Sequence, residues 1–334
     1  MAVFTPITAT QLSQWLIPLG VGTLKHFEGI TAGIENTNYF VDTEAGRFVL
    51  TLFERLAPDA LRFDLGLMRH LAGRGIPCPN PVRQPDGSDF STLADRPAAL
   101  VSRLRGHDIT HPDAAQCAQV GQLLARMHLA AQDFTAQLDN PRGLQWCAQT
   151  VEALSPCVTP AQRVLMQDEW AVQQQHAQST GHATLPRSAV HADLFRDNLL
   201  FDGDQLSGVI DFYFAGIDTW IFDLAVVCND WCIDQASGEC DLARIAGLTD
   251  AYQAVRALTP AEHDAWPWAL RRAALRFWLS RLADHHLPRS AHMLAPKDPA
   301  HFERILVSRR HAVPTLARNF SHGAHACTSD RSLP

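Results

Sequence analysis

Two apolar segments enclose a dense cluster of polar side chains in the second half of the chain. The first segment reads VHADLFRDNLLF over residues 190 to 201, and the second reads GVIDFYFAG over residues 208 to 216. Both predict short buried strands, yet together they carry three acids, an asparagine, a histidine and an arginine. A buried charge without a partner is strongly unfavourable. The pattern therefore predicts that a cationic ligand binds at this point of the fold.

Asp193, Asn198 and Asp211 are spaced so that they can meet in space. A hairpin-like return between two short strands would bring the three side chains to one end of the strand pair. Carboxylate and amide oxygens suit Mg²⁺, which takes its remaining ligands from water and substrate phosphates. The sequence therefore predicts a magnesium site made of such oxygens, with Asp193 left to accept a proton from a hydroxyl group.

The chain divides into two parts of different character. Strand-like segments broken by turns dominate up to a buried strand near residues 99 to 104, and helical spacing dominates afterwards. The pattern predicts a small, β-rich amino-terminal lobe over residues 1–103. A larger, mostly helical carboxyl-terminal lobe is predicted over residues 104–334.

Composition narrows the possible partners. The formal net charge of −7 over 334 residues argues against a general nucleic-acid binder. No apolar run reaches the length of a membrane span, and the first residues lack the basic and apolar regions of a secretory signal. We therefore expect a cytoplasmic protein that acts on small molecules. The oligomeric state stays open.

The stretch HADLFRDN, followed by IDF, resembles the catalytic loop and metal-binding aspartate of the protein-kinase-like fold. Ala192, and the absence of a glycine after Phe212, fit the small-molecule branch of that fold, the aminoglycoside-phosphotransferase-like kinases. Within this branch the chain resembles the bacterial homoserine kinase family in segments such as FEGITAGIENTNYFV, RFVLTLFE and RFWLSRL. The resemblance implies a bilobal α+β fold and phosphoryl transfer from ATP with Mg²⁺ as cofactor.

The resemblance also implies roles for individual residues. Asp193 corresponds to the base that orients the acceptor hydroxyl and takes its proton, and Asn198 and Asp211 correspond to the Mg²⁺ ligands. His191 corresponds to the histidine that braces the catalytic loop. Asp223 corresponds to the structural acid that holds this loop through hydrogen bonds.

The nucleotide side is expected in the amino-terminal lobe. GITAGIENTNY corresponds to the loop that covers the phosphates, where two glycines allow close approach of backbone N–H groups and two asparagines offer donors. The adenine is expected against the strand AALVSRL, whose backbone near Val101 to Arg103 can pair with the base edge. The residues implied in the covering loop are Gly29, Gly33, Asn36 and Asn38.

One position departs from the pattern of the fold. Most of these kinases place a lysine on the third strand to hold the α- and β-phosphates, paired with a helix glutamate. Thr51 stands at about that position, the following helix offers Asp64, and the only lysines are Lys25 and Lys297. The site is therefore either degenerate or handles phosphate charge with arginine, backbone donors and Mg²⁺. Intact polar groups in the catalytic loop favour the second interpretation.

Arg196 is the cation we favour for the γ-phosphate or the acceptor. The alternative is a surface arginine paired with Asp197.

The resemblance implies L-homoserine as the acceptor, in threonine biosynthesis. Its ammonium and carboxylate call for an acid and a bidentate cation in the pocket. The candidates are Asp230, Trp231 and Arg276, with Arg281 as an alternative because residues five apart on a helix do not share a face cleanly. Choline, methylthioribose and aminoglycosides remain alternative acceptors. A nucleotide-binding pseudokinase scaffold is the alternative from another class of protein.

Overall fold

An antiparallel sheet forms the amino-terminal part of the protein, in a computed structural model that describes residues 3–31, 36–287 and 297–317. Its strands are β1 (Leu24–Gly29), β2 (Thr37–Thr43), β3 (Arg47–Leu52), β4 (Ser91–Leu93) and β5 (Arg96–Ser102). Their spatial order is β1-β2-β3-β5-β4. Alternation along β2, with residues of one face fully buried, shows why the sequence forms a strand here.

Two helices flank this sheet. Helix α1 (Ala9–Leu16) begins at a capping box between Thr8 and Gln11, and it buries Leu12 and Leu16 in the core beneath the sheet. Helix α2 (Pro58–Ala72) has a proline in its first turn, where the missing N–H costs nothing. Leucines at helical spacing place one face of α2 in the main core.

Helices make up most of the remaining chain. The long helix α9 packs against α4, α5, α7 and α10, and every residue of α7 is buried. These helices are α3 (Ala114–Ala130), α4 (Leu144–Leu154), α5 (Pro160–Ala177), α6 (Thr180–Ala183), α7 (Trp220–Trp231), α8 (Leu242–Val255), α9 (Pro260–His286) and α10 (Ala300–His311).

Two short strand pairs position the polar cluster. Strand β6 (Arg187–Val190) pairs with β9 (Gly216–Thr219), and β7 (Leu199–Asp202) pairs with β8 (Gln205–Val209). Gly203, with a φ of 60°, lies in the turn of the second pair. The hairpin brings Asn198 beside Ile210, whose N–H donates to the carbonyl of Asn198 over 3.0 Å. Asp211 follows immediately.

The predicted fold class is confirmed: an antiparallel sheet precedes a larger, mostly helical part. Strand β5 ends at Ser102 within the expected connection, and the lobe boundary at residue 103 stays a prediction. No helix in the described part of the chain combines the length and apolarity needed to cross a bilayer.

Candidate active site

Asp193 lies in the loop between β6 and a single 3₁₀ turn, Arg196–Asn198. The side-chain amide nitrogen of Asn198 donates to the carbonyl of Asp193 over 2.8 Å, and it lies 3.5 Å from the Oδ2 atom of Asp193. Because the amide nitrogen is held by the loop, the amide oxygen of Asn198 faces the other way and remains a possible metal ligand.

Asp211 occupies a backbone conformation that aspartate adopts infrequently. Its φ is 64°, and Ala192, next to Asp193, has a φ of 62°. Left-handed conformations at non-glycine residues are uncommon and persist where the surrounding structure imposes them. Both occur within the predicted catalytic segments, one on each side of the β7–β8 hairpin. Asp211 itself is exposed, and it directly follows Ile210, whose N–H is bonded to the carbonyl of Asn198.

Asp223 holds the catalytic loop by its backbone. Asp223 is fully buried in the first turn of α7. Its carboxylate accepts hydrogen bonds from the N–H of Ala192 over 2.8 Å and from the N–H of His191 over 3.2 Å. The ring of His191 bonds the carbonyl of Ile210 at 3.0 Å through Nε2, and burial lowers the pKa of this histidine. His191 therefore links the Asp193 loop to the residue before Asp211 as a neutral ring.

The sequence did not reveal a further layer behind Asp223. The Nε2 atom of His128, on α3, lies 3.1 Å from the Asp223 carboxylate, and its Nδ1 atom lies 2.7 Å from the hydroxyl of Tyr252 on α8. Arg256 donates to the same hydroxyl over 3.0 Å. Helices α3 and α8 thus brace the acid that holds the catalytic loop. These partners are far apart in the sequence, so their contacts could not be predicted from it.

Arg276, on α9, is the cation nearest to the predicted base. Its Nη1 atom lies 3.7 Å from Oδ1 of Asp193, and its guanidinium packs 3.7 Å from the ring centroid of Phe277. Burial raises the pKa of Asp193 to about 7, against the opposing effect of Arg276. Burial also lowers the pKa of Arg276 to about 10. The pKa of Asp193 therefore lies near neutrality, the range in which a general base is most effective.

Arg196, expected to bind the γ-phosphate or the acceptor, pairs with an acid of the chain, and its role toward a ligand stays a prediction. Its Nε atom donates to Asp230 over 3.1 Å and its backbone N–H over 2.8 Å, while Nη1 donates to the carbonyl of Thr110 over 2.6 Å. The alternative pairing with Asp197 is not observed, and Asp197 pairs with Lys297 at 3.3 Å. Arg196 instead fixes the catalytic turn to the end of α7.

A cavity of about 330 Å³ opens beside this pair. Arg196, Asp230 and Arg281 line this cavity. Arg276 contacts Asp193 whereas Arg281 faces the cavity, so the two arginines are not alternatives for one position. Both arginines lower the pKa of Asp193. Trp231 was expected here and is instead fully buried, 6.1 Å from Phe201 between ring centroids. Its assignment to the substrate pocket is wrong, because α7 is buried all round.

Thr51 and Asn38 lie side by side on adjacent strands of the amino-terminal sheet. They are direct partners in the β2–β3 register, and the hydroxyl of Thr51 donates to Oδ1 of Asn38 over 2.7 Å. Asn36 is buried and accepts from the N–H of Glu54 over 3.3 Å. A Cβ on Gly29 would lie 2.8 Å from the side chain of Val3, so this glycine serves packing. Gly33 lies outside the described residues.

The adenine contacts expected at Val101 to Arg103 stay a prediction, and the structure shows where the backbone N–H groups of this stretch are bonded. The N–H of Arg103 donates to the carbonyl of Arg47 over 3.0 Å, and the N–H of Ser102 donates to the carbonyl of Asn80 over 3.0 Å. Val101 pairs with Val49 on one side and Pro81 on the other. Backbone donors of this stretch are therefore committed to the sheet. Asn80, the partner of Ser102, lies in the proline-rich segment PCPNP that precedes β4.

A family model described as "Phosphotransferase enzyme family" matches residues 26–258, which span both the sheet and the catalytic loop. The chain belongs to this family. It is a small-molecule kinase, and the resemblance drawn from HADLFRDN and IDF is confirmed.

Relatives of this phosphotransferase are similar over nearly their whole length. A homoserine kinase of Janthinobacterium sp. (strain Marseille) is 49% identical over 317 residues, covering 95% of this chain and 98% of that protein. A homoserine kinase of Polaromonas naphthalenivorans (strain CJ2) is 50% identical over 309 residues, covering 92% and 98%.

Solved structures with low sequence identity share the fold. The amicoumacin kinase hAmiN, in complex with AMP-PNP, Ca²⁺ and Ami, matches with a TM-score of 0.65 at 17% identity, covering 90% of this chain and 91% of that one. A microcompartment-associated aminopropanol kinase matches with a TM-score of 0.64 at 17% identity, covering 91% and 94%.

The donor set of the phosphotransferase fits the expected metal. Asn198 offers an amide oxygen whose nitrogen is already held, and Asp211, the residue after Ile210, offers an exposed carboxylate. Among the described residues, no cluster of three or more His, Cys, Asp or Glu side chains is arranged to hold an ion. Two protein oxygens match Mg²⁺ that is bound mainly by phosphates and water.

Proposed function

We propose that this phosphotransferase is an ATP-dependent homoserine kinase. The observation that carries the proposal is the placement of Asp193: its carboxylate lies between a buried arginine and the Asn198–Asp211 pair, near a cavity lined by charges of both signs. The two relatives named homoserine kinase, at 49% and 50% identity over nearly full length, support the choice of acceptor.

Asp193 acts as the general base in this proposal. Its carboxylate accepts the hydroxyl proton of the acceptor as the acceptor oxygen bonds to the γ-phosphorus. The bond between the γ-phosphorus and the bridging oxygen breaks, and ADP leaves with the electron pair. Arg276 favours the ionised form of Asp193 against the effect of burial, and its guanidinium lies 3.7 Å from the carboxylate. Asp223 and His191 keep the loop in place.

Asn198 and Asp211 would hold Mg²⁺. When bound, Mg²⁺ neutralises phosphate charge and orients the phosphates for transfer. The chain contributes the two oxygens and the strained backbone that presents Asp211.

The charge pattern of the cavity favours an amino acid over the alternative acceptors. A quaternary ammonium needs an aromatic cage, but Trp231 is in the core and the aromatic lining consists of Phe195 and Phe302. An aminoglycoside needs a broadly acidic groove, whereas this cavity is lined by both acidic and basic residues. The charged and titratable lining residues are Asp108, Asp197, Asp230, Asp298, Arg196, Arg281, Lys297 and His301.

Arg281 is the carboxylate partner we propose for homoserine. It lies on α9 one and a half turns beyond Arg276, lines the cavity and interacts electrostatically with Asp193. Its planar guanidinium can bind a carboxylate through two hydrogen bonds. Asp108, an acid at the edge of the same cavity, is the corresponding candidate for the ammonium.

The test is ATP consumption with homoserine, choline, methylthioribose and kanamycin, with the product identified by phosphorus NMR. We expect turnover with homoserine and formation of its O-phosphate. Preference for another acceptor would reassign the substrate. ATP binding without turnover on any acceptor would favour the pseudokinase scaffold, to which the missing third-strand lysine points. Parallel assays of the Asp193→Asn variant measure the background from contaminating kinases.

A further inference from the structure

A chain of buried hydrogen bonds runs from the junction of α8 and α9 to the catalytic loop. Arg256, the residue after α8, donates through Nη2 to both carboxylate oxygens of Glu262 in the first turn of α9. Nη1 of Arg256 donates to the hydroxyl of Tyr252 over 3.0 Å. The ring of His128 then joins this hydroxyl to Asp223, over 2.7 Å and 3.1 Å. Five side chains thus link the start of α9 to the acid that holds the catalytic loop.

The direction of these hydrogen bonds follows from Arg256, because a guanidinium can only donate. The hydroxyl oxygen of Tyr252 therefore accepts from Arg256, and its own proton is left for its other partner within the described residues, Nδ1 of His128. Nδ1 must then carry no proton, so the ring proton lies on Nε2 and points to Asp223. Every proton of the chain points the same way, toward the carboxylate that holds the catalytic loop.

The indole of Trp220 packs against two members of the chain. The ring of His128 stacks nearly parallel to it with 5.5 Å between the ring centroids, and the guanidinium of Arg256 lies 4.5 Å from its centroid. Nε1 of Trp220 donates over 2.8 Å to the hydroxyl of Ser188 on β6, the strand that leads into the catalytic loop. Packing therefore fixes the ring that carries the ordered proton. Aligned hydrogen bonds in a buried chain strengthen one another, so Arg256 favours the negative charge of Asp223.

We propose that Arg256 and Tyr252 are positioning residues for the catalytic loop, and that they act through a one-way chain of protons that keeps His128 in its Nε2–H form against Asp223. The carboxylate of Asp223 then holds the backbone on which Asp193 is carried. The kinetic effect rests on the proposed kinase function, whereas the positions of the protons do not.

The competing explanation is that these contacts only satisfy buried polar groups. A variant in the chain would then lower the stability of the fold and leave the catalytic loop as it is. The two explanations differ in the rate of the folded enzyme, in the mobility of the loop and in the hydrogen bonding of one histidine ring.

The first measurement locates the protons without using activity. Nitrogen-15 NMR of histidine-labelled protein at slightly alkaline pH distinguishes a ring nitrogen that bears a proton from one that does not. The signals missing from His128→Gln belong to His128, and we expect its proton on Nε2. Tyr252→Phe removes a single hydroxyl from the chain, so the Nδ1 signal should move downfield, toward that of a ring nitrogen without a hydrogen bond.

The second measurement compares Arg256→Met with a matched control. We expect kcat to fall about ten-fold and KM for ATP and the acceptor to change less than about two-fold, because a small misplacement of a catalytic group costs up to about 10²-fold in rate. Arg256→Lys keeps a charged donor and should recover part of the loss. The control is Arg271→Met, which removes another arginine that donates to a buried acid, Glu169. It should lower the urea midpoint and keep the wild-type kcat.

Hydrogen exchange reports on the loop directly. The amide protons of the segment around Ala192 should exchange faster in Arg256→Met and in Tyr252→Phe than in Arg271→Met. Tyr252→Phe preserves the packing of the ring, so it also serves if Arg256→Met does not fold. The effects of Arg256→Met and Tyr252→Phe on kcat should not add in the double variant, because both break the same chain.

The outcomes separate the two proposals. A proton on Nδ1 of His128, or a folded Tyr252→Phe variant with wild-type kcat and wild-type loop exchange, overturns the positioning chain. An equal loss of kcat in Arg271→Met also overturns it, since the loss of any ion pair would then slow the reaction. The expected NMR and exchange results in a protein that turns over no acceptor support the chain and overturn the kinase proposal.

Discussion

Arg276 holds its guanidinium 3.7 Å from the carboxylate of Asp193, and only 4% and 17% of the two side chains are exposed. The residues are far apart in sequence, one on α9 and one in the catalytic loop. Burial favours the neutral form of Asp193 and the nearby cation favours the ionised form, so the balance between them sets the protonation of the base.

This balance predicts the pH dependence of the reaction. The pKa of Asp193 is raised to about 7 by burial, and the ionised form is the one that acts in the proposed reaction. We therefore expect kcat/KM to fall about ten-fold per pH unit below this value. Arg276→Gln removes the cation that lowers the pKa, so the acidic limb should move to higher pH, and Arg276→Lys should move it back. An Arg276→Gln profile that coincides with wild type would contradict this coupling.

Asp193→Asn should abolish turnover while leaving nucleotide binding intact. Asparagine keeps the shape of the side chain but cannot take the hydroxyl proton, and loss of a positioned base costs about 10² to 10⁴ in kcat. The measurements are single-turnover rates and calorimetric affinity for an ATP analogue. Asp202→Asn, an exposed acid at the end of β7, is the matched control and should keep full activity. A fully active Asp193→Asn variant would contradict the role of Asp193 as the general base.

The catalytic loop was predictable from sequence because its contacts are local. Asp193 and Asn198 are separated by a single turn, and the β7–β8 hairpin returns the chain directly to Asp211. The strand-like segments on either side follow from apolar patterning. The sheet was predictable for the same reason, since alternation and turn residues act over short distances.

Contacts across long stretches of chain were not predictable. The sequence suggested the neighbouring Asp197 as an alternative partner of Arg196, whereas Arg196 pairs with Asp230 near the end of α7. Trp231, the next residue, is buried, as are all residues of α7. The sequence of a mostly apolar helix with a few polar residues does not indicate which of its faces lies toward the active site. At the end of β5 the N–H of Ser102 donates to the carbonyl of Asn80, which lies in a proline-rich segment, and such a segment indicates a loop rather than a strand partner.

Asp230→Asn should weaken both the fold and the catalytic turn. Asp230 accepts the backbone N–H and the guanidinium of Arg196, so the substitution leaves Arg196 largely uncompensated and loosens the turn beside Asp193. Breaking a buried pair on one side costs about 3 to 5 kcal/mol. Urea unfolding and kcat are the readouts, with the acceptor KM expected to rise as well.

The control for this pair is Asp241→Asn. It removes the acid from the more exposed pair of Arg244 and Asp241, while asparagine can still cap α8. A surface pair contributes only about 0 to 1 kcal/mol. Equal destabilisation by Asp230→Asn and Asp241→Asn would show that the Arg196 contact is not a structural anchor.

His128 should make the free energy of unfolding depend on pH. Burial lowers its pKa in the folded protein below the ordinary value of 6.5, so at acidic pH the unfolded chain binds more protons than the folded one. Stability is therefore complete above pH 6.5 and is lost as the pH falls below it, by up to about 1.4 kcal/mol per pH unit for this residue. Urea unfolding at a series of pH values between 5 and 7.5 gives the slope of the free energy of unfolding against pH. This slope should be shallower in His128→Gln, even though that variant is less stable overall. His311→Gln, at the exposed end of α10, should keep the wild-type slope. An unchanged slope in His128→Gln would mean that this histidine does not stay neutral behind Asp223.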